Sequence, residues 1–187
     1  MSLTKYLVSK GLSVNSTYHT RMPPKDMMQY YKPYDFTKYE DCLAATTGQD
    51  NVIICAVQAS GVSGIRKSPT KSILPNLEIH AGLLEACSNN QVEKVVWVSS
   101  SSVYQEFPHP ISEDQLNLND QPYELYQGIG WVYRYIEELA KCYYEKCGLN
   151  VGIIRTSNIY GPNDHFDDNK SHVIPALIKR AIKKDDP

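Results

Sequence analysis

The chain has 187 residues, of which 42% are hydrophobic and 21% charged, and its formal net charge is -2. A single domain takes roughly 100–200 residues, so this length predicts one domain over 1–187 and argues against two. The near balance of basic and acidic side chains provides no field to attract nucleic acid or an anionic membrane. No apolar run approaches the ~18–20 residues of a membrane span.

The number and spacing of the cysteines indicate the redox state of the protein's compartment. There are five, at positions 42, 55, 87, 142 and 147, and they include no CxxC pair. The first ten residues lack the apolar stretch and the small-residue cleavage site of a signal peptide. An odd, scattered set of cysteines without an export signal predicts reduced thiols in the cytoplasm.

The first third of the chain contains two helical segments and two strands. A short helix is predicted over Lys5–Lys10, ended by Gly11, and a strand over Leu12–Tyr18. Capping-box spacing predicts a helix over Thr37–Thr46. A compact apolar run predicts a buried strand over Val52–Ala56.

The remaining two thirds continue the alternation of apolar strands with amphipathic helices. The predicted elements are a helix over Ile73–Cys87 whose first turn Pro75 resets, a strand over Val95–Val98, a helix over Gly128–Cys147 closed by Gly148, a strand over Val151–Ile154 and a helix over Val173–Lys184. Strands that are apolar on both faces and alternate with helices predict a parallel sheet covered on both sides. Ligands bind such sheets beyond the carboxyl ends of the strands, so the functional residues should follow the strands.

A glycine-rich phosphate-binding turn is missing from the sequence. No G-x-G-x-x-G occurs, and we interpret the nearest clusters, Gly61–Gly64 and Gly128–Gly130, as turn or helix-start glycines. The chain begins in what resembles the end of a first helix, so we expect a sheet without the usual first strand and glycine turn. Such a sheet has lost the strongest anchor for a dinucleotide, and cofactor binding should be weak.

Several segments together carry a family resemblance. They are Val95–Tyr104 (VVWVSSSSVY), Trp131–Glu138 (WVYRYIEE), Arg155–Pro162 (RTSNIYGP), Ser171–Ile178 (SHVIPALI), Asp35–Thr37 (DFT) and Val52–Val57 (VIICAV). Their joint order and spacing resemble the extended short-chain dehydrogenase/reductases, which are NAD(P)-dependent nucleotide-sugar epimerases and dehydratases, and most of all the GDP-fucose synthase branch. The resemblance implies a Rossmann-like α/β fold, NAD or NADP, a nucleotide-sugar substrate, and a C-terminal substrate domain that this chain lacks.

The resemblance also implies catalytic positions, and two of them hold the wrong residue. The family uses a carbonyl-polarising Ser or Thr, a Tyr acid/base and a Lys four residues later on the same helix face. Ser100 matches the Ser, but the Tyr position holds Ile129 and the Lys position holds Tyr133. Tyr133 and Tyr126 are the neighbours that we consider as replacement acid/base groups, and we expect catalysis to be impaired.

Further positions match family residues that face the substrate. Ser102 occupies the position of the epimerising Cys, His172 matches its His partner, and Asn158 is expected to face the sugar. The acidic segment Asp164–Asp168 followed by His172 could suggest a metal, but the resemblance explains it without one. We therefore predict no metal.

Cofactor contacts are implied at the ends of the predicted strands. The positions are Arg21, Asp35, Phe36, Ala56, Val57, Gln58, Ser99, Thr156 and Ser157. Asp35 fits an adenine-binding aspartate or an ordinary turn aspartate near a helix start. Arg21 stands where an acid would select NAD, which favours NADP, although a plain surface loop is the alternative.

Two other interpretations stay open. One is a non-enzymatic, degenerate domain that acts by protein association, with the helix over 128–147 forming a homodimer. The other is a truncated or engineered form of an active enzyme.

Overall fold

The computed structural model describes residues 2–59, 61–157, 159–161, 164, 171 and 173–183. Its strands are β1 (Ser16–Tyr18), β2 (Tyr31–Pro33), β3 (Asn51–Ile54), β4 (Lys94–Ser100) and β5 (Asn150–Thr156). Its α-helices are α1 (Ser2–Ser9), α2 (Tyr39–Thr46), α3 (Val62–Lys67), α4 (Ile73–Asn89), α5 (Gln127–Cys147) and α6 (Val173–Lys183). No helix in these ranges is long and apolar enough to span a bilayer.

Every strand pairing in the described residues is parallel, and the strands form two ladders. One ladder pairs β1 with β2, and the other has the order β3-β4-β5. In the second ladder Trp97 lies between Ile54 and Ile153. Parallel sheets with helices on both sides confirm the predicted α/β, Rossmann-like fold.

The core lies between β4 and the two long helices. On β4, Val95 and Trp97 are fully buried, in strict alternation along the strand. From the helices, Leu84 of α4 and Ile136 of α5 meet this face, and both have no exposed surface. Gly148 ends α5 with φ 73°, which is a left-handed cap that glycine adopts without strain, as the sequence predicts.

The N-terminal elements differ from their predicted bounds. The strand predicted over Leu12–Tyr18 is only β1, and β2 and α3 had not been predicted. Thr37 does not cap α2, because its hydroxyl donates to Asp35 and Lys38 holds the cap position without a side-chain hydrogen bond. Pro75 does not interrupt α4, since it lies in the first turn, where a helix needs no N–H donor.

Three aromatic rings from three elements lie at the centre of the core. The indole Nε1–H of Trp97 donates to Nδ1 of His80 at 3.1 Å, and Tyr133 stacks on Trp97 with ring centroids 5.5 Å apart. His80 is 1% exposed, and within the described part of the chain its Nε2 has no hydrogen-bond partner. Burial lowers the pKa of His80 to about 4, so the imidazole is neutral.

The buried imidazole predicts a pH-dependent stability. In the unfolded chain His80 titrates near pH 6.5, so its contribution is complete above that pH and is lost as the pH falls toward about 4. Between pH 7 and pH 5 we expect the free energy of unfolding to fall by about 2 kcal/mol through this residue. Urea unfolding at the two pH values measures it. In a His80→Phe variant the drop in the free energy of unfolding between pH 7 and pH 5 should be smaller by this amount. The same drop in the variant would contradict the assignment of this pH dependence to His80.

Candidate functional site

The carboxyl ends of β4 and β5 bring hydroxyl groups together. Ser100 and Thr156 are paired in the ladder as the last residues of their strands. The Thr156 hydroxyl donates to the carbonyl of Ser99 at 3.0 Å, which ties the two strand ends to each other. Ser157 follows as an exposed residue. The sequence-predicted positions 99, 100, 156 and 157 therefore lie at one edge of the sheet.

A buried carboxylate supports this edge from the side of α5. Glu137 accepts a hydrogen bond from the Ser99 hydroxyl at 2.8 Å and is paired with Arg155 at 2.7 Å. The hydrogen bonds that Arg155 donates to Glu137 raise the pKa of Arg155 further above its usual range, so the guanidinium is permanently charged. Ser99 is 2% exposed and its side chain is engaged with the helix. Contact between Ser99 and a cofactor stays a prediction.

Ser100 is arranged so that its hydroxyl proton is available. Its Oγ accepts a hydrogen bond from the backbone N–H of Ser102 at 3.1 Å, where it caps a 3-10 turn over Ser101–Val103. A hydroxyl that accepts in this way still has its own O–H to donate. That is the hydrogen bond a carbonyl-polarising serine must make, so the local geometry is compatible with the predicted role.

The hydroxyl of Ser102 is buried. Its Oγ has no hydrogen bond within the described ranges. Leaving a buried hydroxyl unpaired costs about 1–3 kcal/mol. The predicted substrate position therefore holds a polar atom whose hydrogen-bonding capacity is unused.

Gly130 allows α5 to approach the 3-10 turn over Ser101–Val103, which we call the serine turn. A Cβ at Gly130 would lie 2.5 Å from the carbonyl oxygen of Ser102 and 2.6 Å from Cβ of Pro122. Neither is the end of a flexible side chain, so a larger residue would force the helix and the turn apart. The closeness of α5 to the serine turn thus depends on glycine at this position.

Substituting this glycine tests the close approach. We expect Gly130→Ala to lower the free energy of unfolding by about 1–3 kcal/mol, which is typical of overpacking. Gly152→Ala in β5 is the matched control, because the nearest atom to its Cβ, the carbonyl oxygen of Val95, is 3.9 Å away. Denaturant unfolding compares the two. Equal effects would contradict the constraint at Gly130.

The segment after β3 is held by a residue that the sequence analysis missed. Asn76 of α4 is fully buried; its Oδ1 accepts from the N–H of Gln58 at 2.9 Å, and its Nδ2 donates to the carbonyl of Gln58 at 3.1 Å. Ala56 packs partly against the core, whereas Val57 is 50% exposed. The sequence does contain a signal for Asn76, because this polar residue lies on the same helical face as Ile79, His80 and Leu83.

Asp35 follows β2 and organises the entry to α2. Its Oδ1 accepts from the hydroxyl of Thr37 at 2.7 Å, and this bond is the main reason that its pKa is lowered. Lys38 lies 3.7 Å from its other oxygen. The turn role is therefore present, and an additional contact to adenine stays a prediction. Phe36 packs against the core, and Arg21 is exposed after β1.

The tyrosines considered as acid/base groups occupy different surroundings. Tyr133 is 6% exposed, its ring lies against Trp97 and His80, and burial raises its pKa to about 12. Tyr126 is half-buried immediately before α5, and Ile129 packs against the core. The structure thus brings Tyr133 into the aromatic core.

Two predicted substrate positions, Asn158 and His172, lie outside the described residues, as does most of the acidic segment at 164–168. Within the described part of the chain, no group of three His, Cys, Asp or Glu side chains converges as a metal site.

Fold and site define a doubly wound α/β protein with hydroxyl side chains at the carboxyl ends of two parallel strands. The family model for the NAD dependent epimerase/dehydratase family matches residues 2–187. The chain belongs to this family.

Individual relatives are nucleotide-sugar enzymes by name. GDP-L-fucose synthase of Sinorhizobium fredii (strain NBRC 101917 / NGR234) is 32% identical over 132 residues, covering 70% of this chain and 41% of the relative. GDP-mannose 3,5-epimerase of Arabidopsis thaliana is 27% identical over 150 residues, covering 79% of this chain and 40% of the relative. This chain therefore spans about two fifths of the length of these curated relatives.

Solved structures agree on the fold. UDP-glucose 4-epimerase of Thermotoga maritima superposes with a TM-score of 0.80 at 17% identity, over 97% of this chain and 59% of that one. A GDP-mannoheptose C4 reductase from Campylobacter jejuni, solved with NADP bound, gives a TM-score of 0.74 at 19% identity, over 90% of this chain and 55% of that one.

Proposed function

We propose that this chain is the cofactor-binding part of an NAD(P)-dependent nucleotide-sugar epimerase, dehydratase or reductase, with impaired catalysis. The observation that carries the proposal is Ser100, which ends β4 and keeps a hydroxyl proton available for a substrate oxygen. Its position at the carboxyl end of a parallel strand is where such sheets bind ligands. The free state of all five cysteines is compatible with the cytoplasm, which is the compartment we propose.

Impaired proton transfer follows from the two helix positions. Ile129 has no ionisable group, so it cannot serve as an acid or a base. Tyr133 supplies no positive charge, and its raised pKa keeps the phenol protonated at neutral pH. A general acid/base needs a pKa near the working pH and hydrogen-bond reach to the reacting group. We infer that any remaining turnover depends on Tyr126 or on a group outside the described residues.

The residues at the strand ends fit a dinucleotide in part. Gln58 is fixed by Asn76, and Ala56 is small enough for a ring to approach the main chain. Asp35 and Arg21 are the residues that we propose to meet the adenosine end. A bound nicotinamide would supply the hydride. The sequence contains no G-x-G-x-x-G to hold the pyrophosphate, so we propose weak binding, with NADP favoured by Arg21.

Titration with NADPH and NADH tests the proposal. By nicotinamide fluorescence and thermal shift together, we expect half-saturation at about 0.1–1 mM, equivalent to roughly 4–5.5 kcal/mol of binding. Arg21→Ala should weaken NADPH at least about threefold and leave NADH unchanged, because only the 2′-phosphate meets the guanidinium. No response to either dinucleotide at several millimolar would contradict a cofactor role. If Arg21→Ala lost affinity equally for NADPH and NADH, the NADP preference would be contradicted.

A second candidate function is association through α5 without catalysis. This helix exposes Trp131 at 39% and Tyr135 at 54%, and because the two residues are four apart they lie on one face. Exposed aromatic groups on one helix are typical of protein interfaces. A homodimer through α5 is the form of association we propose.

Sedimentation of paired variants tests the association. We expect the unaltered chain to dimerise at micromolar concentration and Trp131→Arg with Tyr135→Arg to weaken the dimer at least about tenfold, because burying unpaired charges opposes association. Tyr144→Arg is the control for an added arginine, because Tyr144 is exposed but lies nine residues from Tyr135 and so on the opposite side of the helix. A chain that sediments as a monomer throughout would contradict this candidate.

A further inference from the structure

Arg134 of α5 is a buried cation without a paired carboxylate. Its side chain is 2% exposed, and none of the ion pairs in the described part of the chain includes it. Burial lowers the pKa of Arg134, but a guanidinium stays charged at neutral pH. Burying an unpaired charge is costly, and an apolar side chain of similar size would fill the same space without that cost. Packing alone therefore does not account for an arginine at this position.

The guanidinium joins two main-chain points that are far apart in the sequence. Its Nε donates to the carbonyl of Val103 at 2.6 Å, and its Nη1 donates to the carbonyl of Asp120. Its carbon lies 4.8 Å from the ring centroid of Trp131, which covers it from the same helix. The N–H groups of a guanidinium form a rigid, planar fork. The two carbonyls are therefore held at a fixed separation from each other and from α5.

The segment between these two points has little regular structure of its own. Residues 104–126, which we call the β4–α5 loop, are all described and contain only two short 3-10 turns. A loop of this length without a helix or a strand is uncommon in a compact domain, and such loops are the parts that open most easily. The N–H of Tyr123 donates to the carbonyl of Tyr104 at 3.2 Å, which closes the loop at its base. Arg134 adds two contacts at the same base from the helix.

The hydroxyl of Ser100 depends on the turn that the guanidinium holds. The Ser102 N–H donates to Oγ of Ser100 at 3.1 Å, and the Tyr104 N–H donates to the carbonyl of Ser101 at 3.2 Å. Val103 lies between these two donors in the chain, so a shift of its peptide group away from α5 would displace both. The direction of the Ser100 hydroxyl relative to the helix is thus tied to the carbonyl of Val103.

We propose that Arg134 is a positioning residue that holds the serine turn and the end of the β4–α5 loop against α5, and so fixes the direction of the Ser100 hydroxyl. The ligand-facing role of Ser100 rests on the proposed function, whereas the positioning of the turn does not. Glu137 ties α5 to the two strand ends, and Arg134 ties the same helix to the turn that follows β4.

Amide hydrogen exchange in the intact chain tests the positioning. In Arg134→Met we expect the Ser102 and Tyr104 amides to exchange at least about tenfold faster than in the unaltered chain, because the turn is no longer held. The Leu84 amide, inside α4 and in the core, reports on global opening and should not change. Lys141→Met is the matched control, since Lys141 is an exposed cation on the same helix.

A second variant keeps the test decisive if Arg134→Met does not fold. Arg134→Lys retains the charge but replaces the fork by a single ammonium group, so we expect at least about threefold faster exchange at Ser102 and Tyr104. Unchanged exchange at these two amides, or an equal acceleration at Leu84, overturns the proposal. Acceleration at the two amides alone, in the Arg134 variants and not in Lys141→Met, supports it.

Addition of NADPH separates the positioning role from the proposed function. In the unaltered chain and in Lys141→Met we expect NADPH to shift the amide resonances of Ala56–Gln58 and Ser100–Ser102. In Arg134→Met only those of Ala56–Gln58 should shift, which a general loss of stability would not produce. Equal shifts of both segments in Arg134→Met overturn the proposal. No shift in any chain contradicts the proposed function, and the exchange rates at the serine turn then decide on Arg134 alone.

Discussion

The buried carboxylate of Glu137 is the interaction on which the candidate site depends. From α5 it contacts β4 through Ser99 and β5 through Arg155. Removing one partner of such a buried pair costs on the order of 3 kcal/mol, because the other charge stays desolvated. This ion pair links the helix to the two strand ends, and Arg134 of α5 separately holds the turn by donating to the carbonyl of Val103 at 2.6 Å. Gly130 complements it by letting the helix come close enough for the bond to Ser99 to form.

Tyr133 lies in the aromatic core, at the position where the family resemblance implies a lysine. Tyr133 stacks on Trp97 and touches His80, so this helix turn contributes packing. A lysine there would have to place an ammonium group among apolar rings, at a large desolvation cost. The carboxyl ends of the strands thus hold a capped serine turn, while the helix position where the resemblance implies a lysine holds a tyrosine packed in the core. This combination is why we propose a crevice that binds cofactor weakly and transfers protons poorly.

The sequence predicted the fold class and the long elements, and local chemistry explains where it fell short. The run from Gly128 to Cys147 has a strong apolar period and a glycine cap, and its predicted bounds match α5 within one residue. β2 has three residues and ends in Pro33, so it carries no period to detect. Spacing located Ser100 and Thr156, but the partner of Ser99 lies 38 residues away, which periodicity does not reveal. Asn76 was missed for the same reason.

We propose that the carboxyl ends of β3, β4 and β5 bind a dinucleotide. Amide chemical-shift mapping by NMR, with NADPH added to saturation, tests this most directly. We predict that the perturbed amides cluster at Ala56–Gln58, Ser100–Ser102 and Thr156–Ser157. Perturbations confined to other surfaces, or none at saturating NADPH, would contradict the claim.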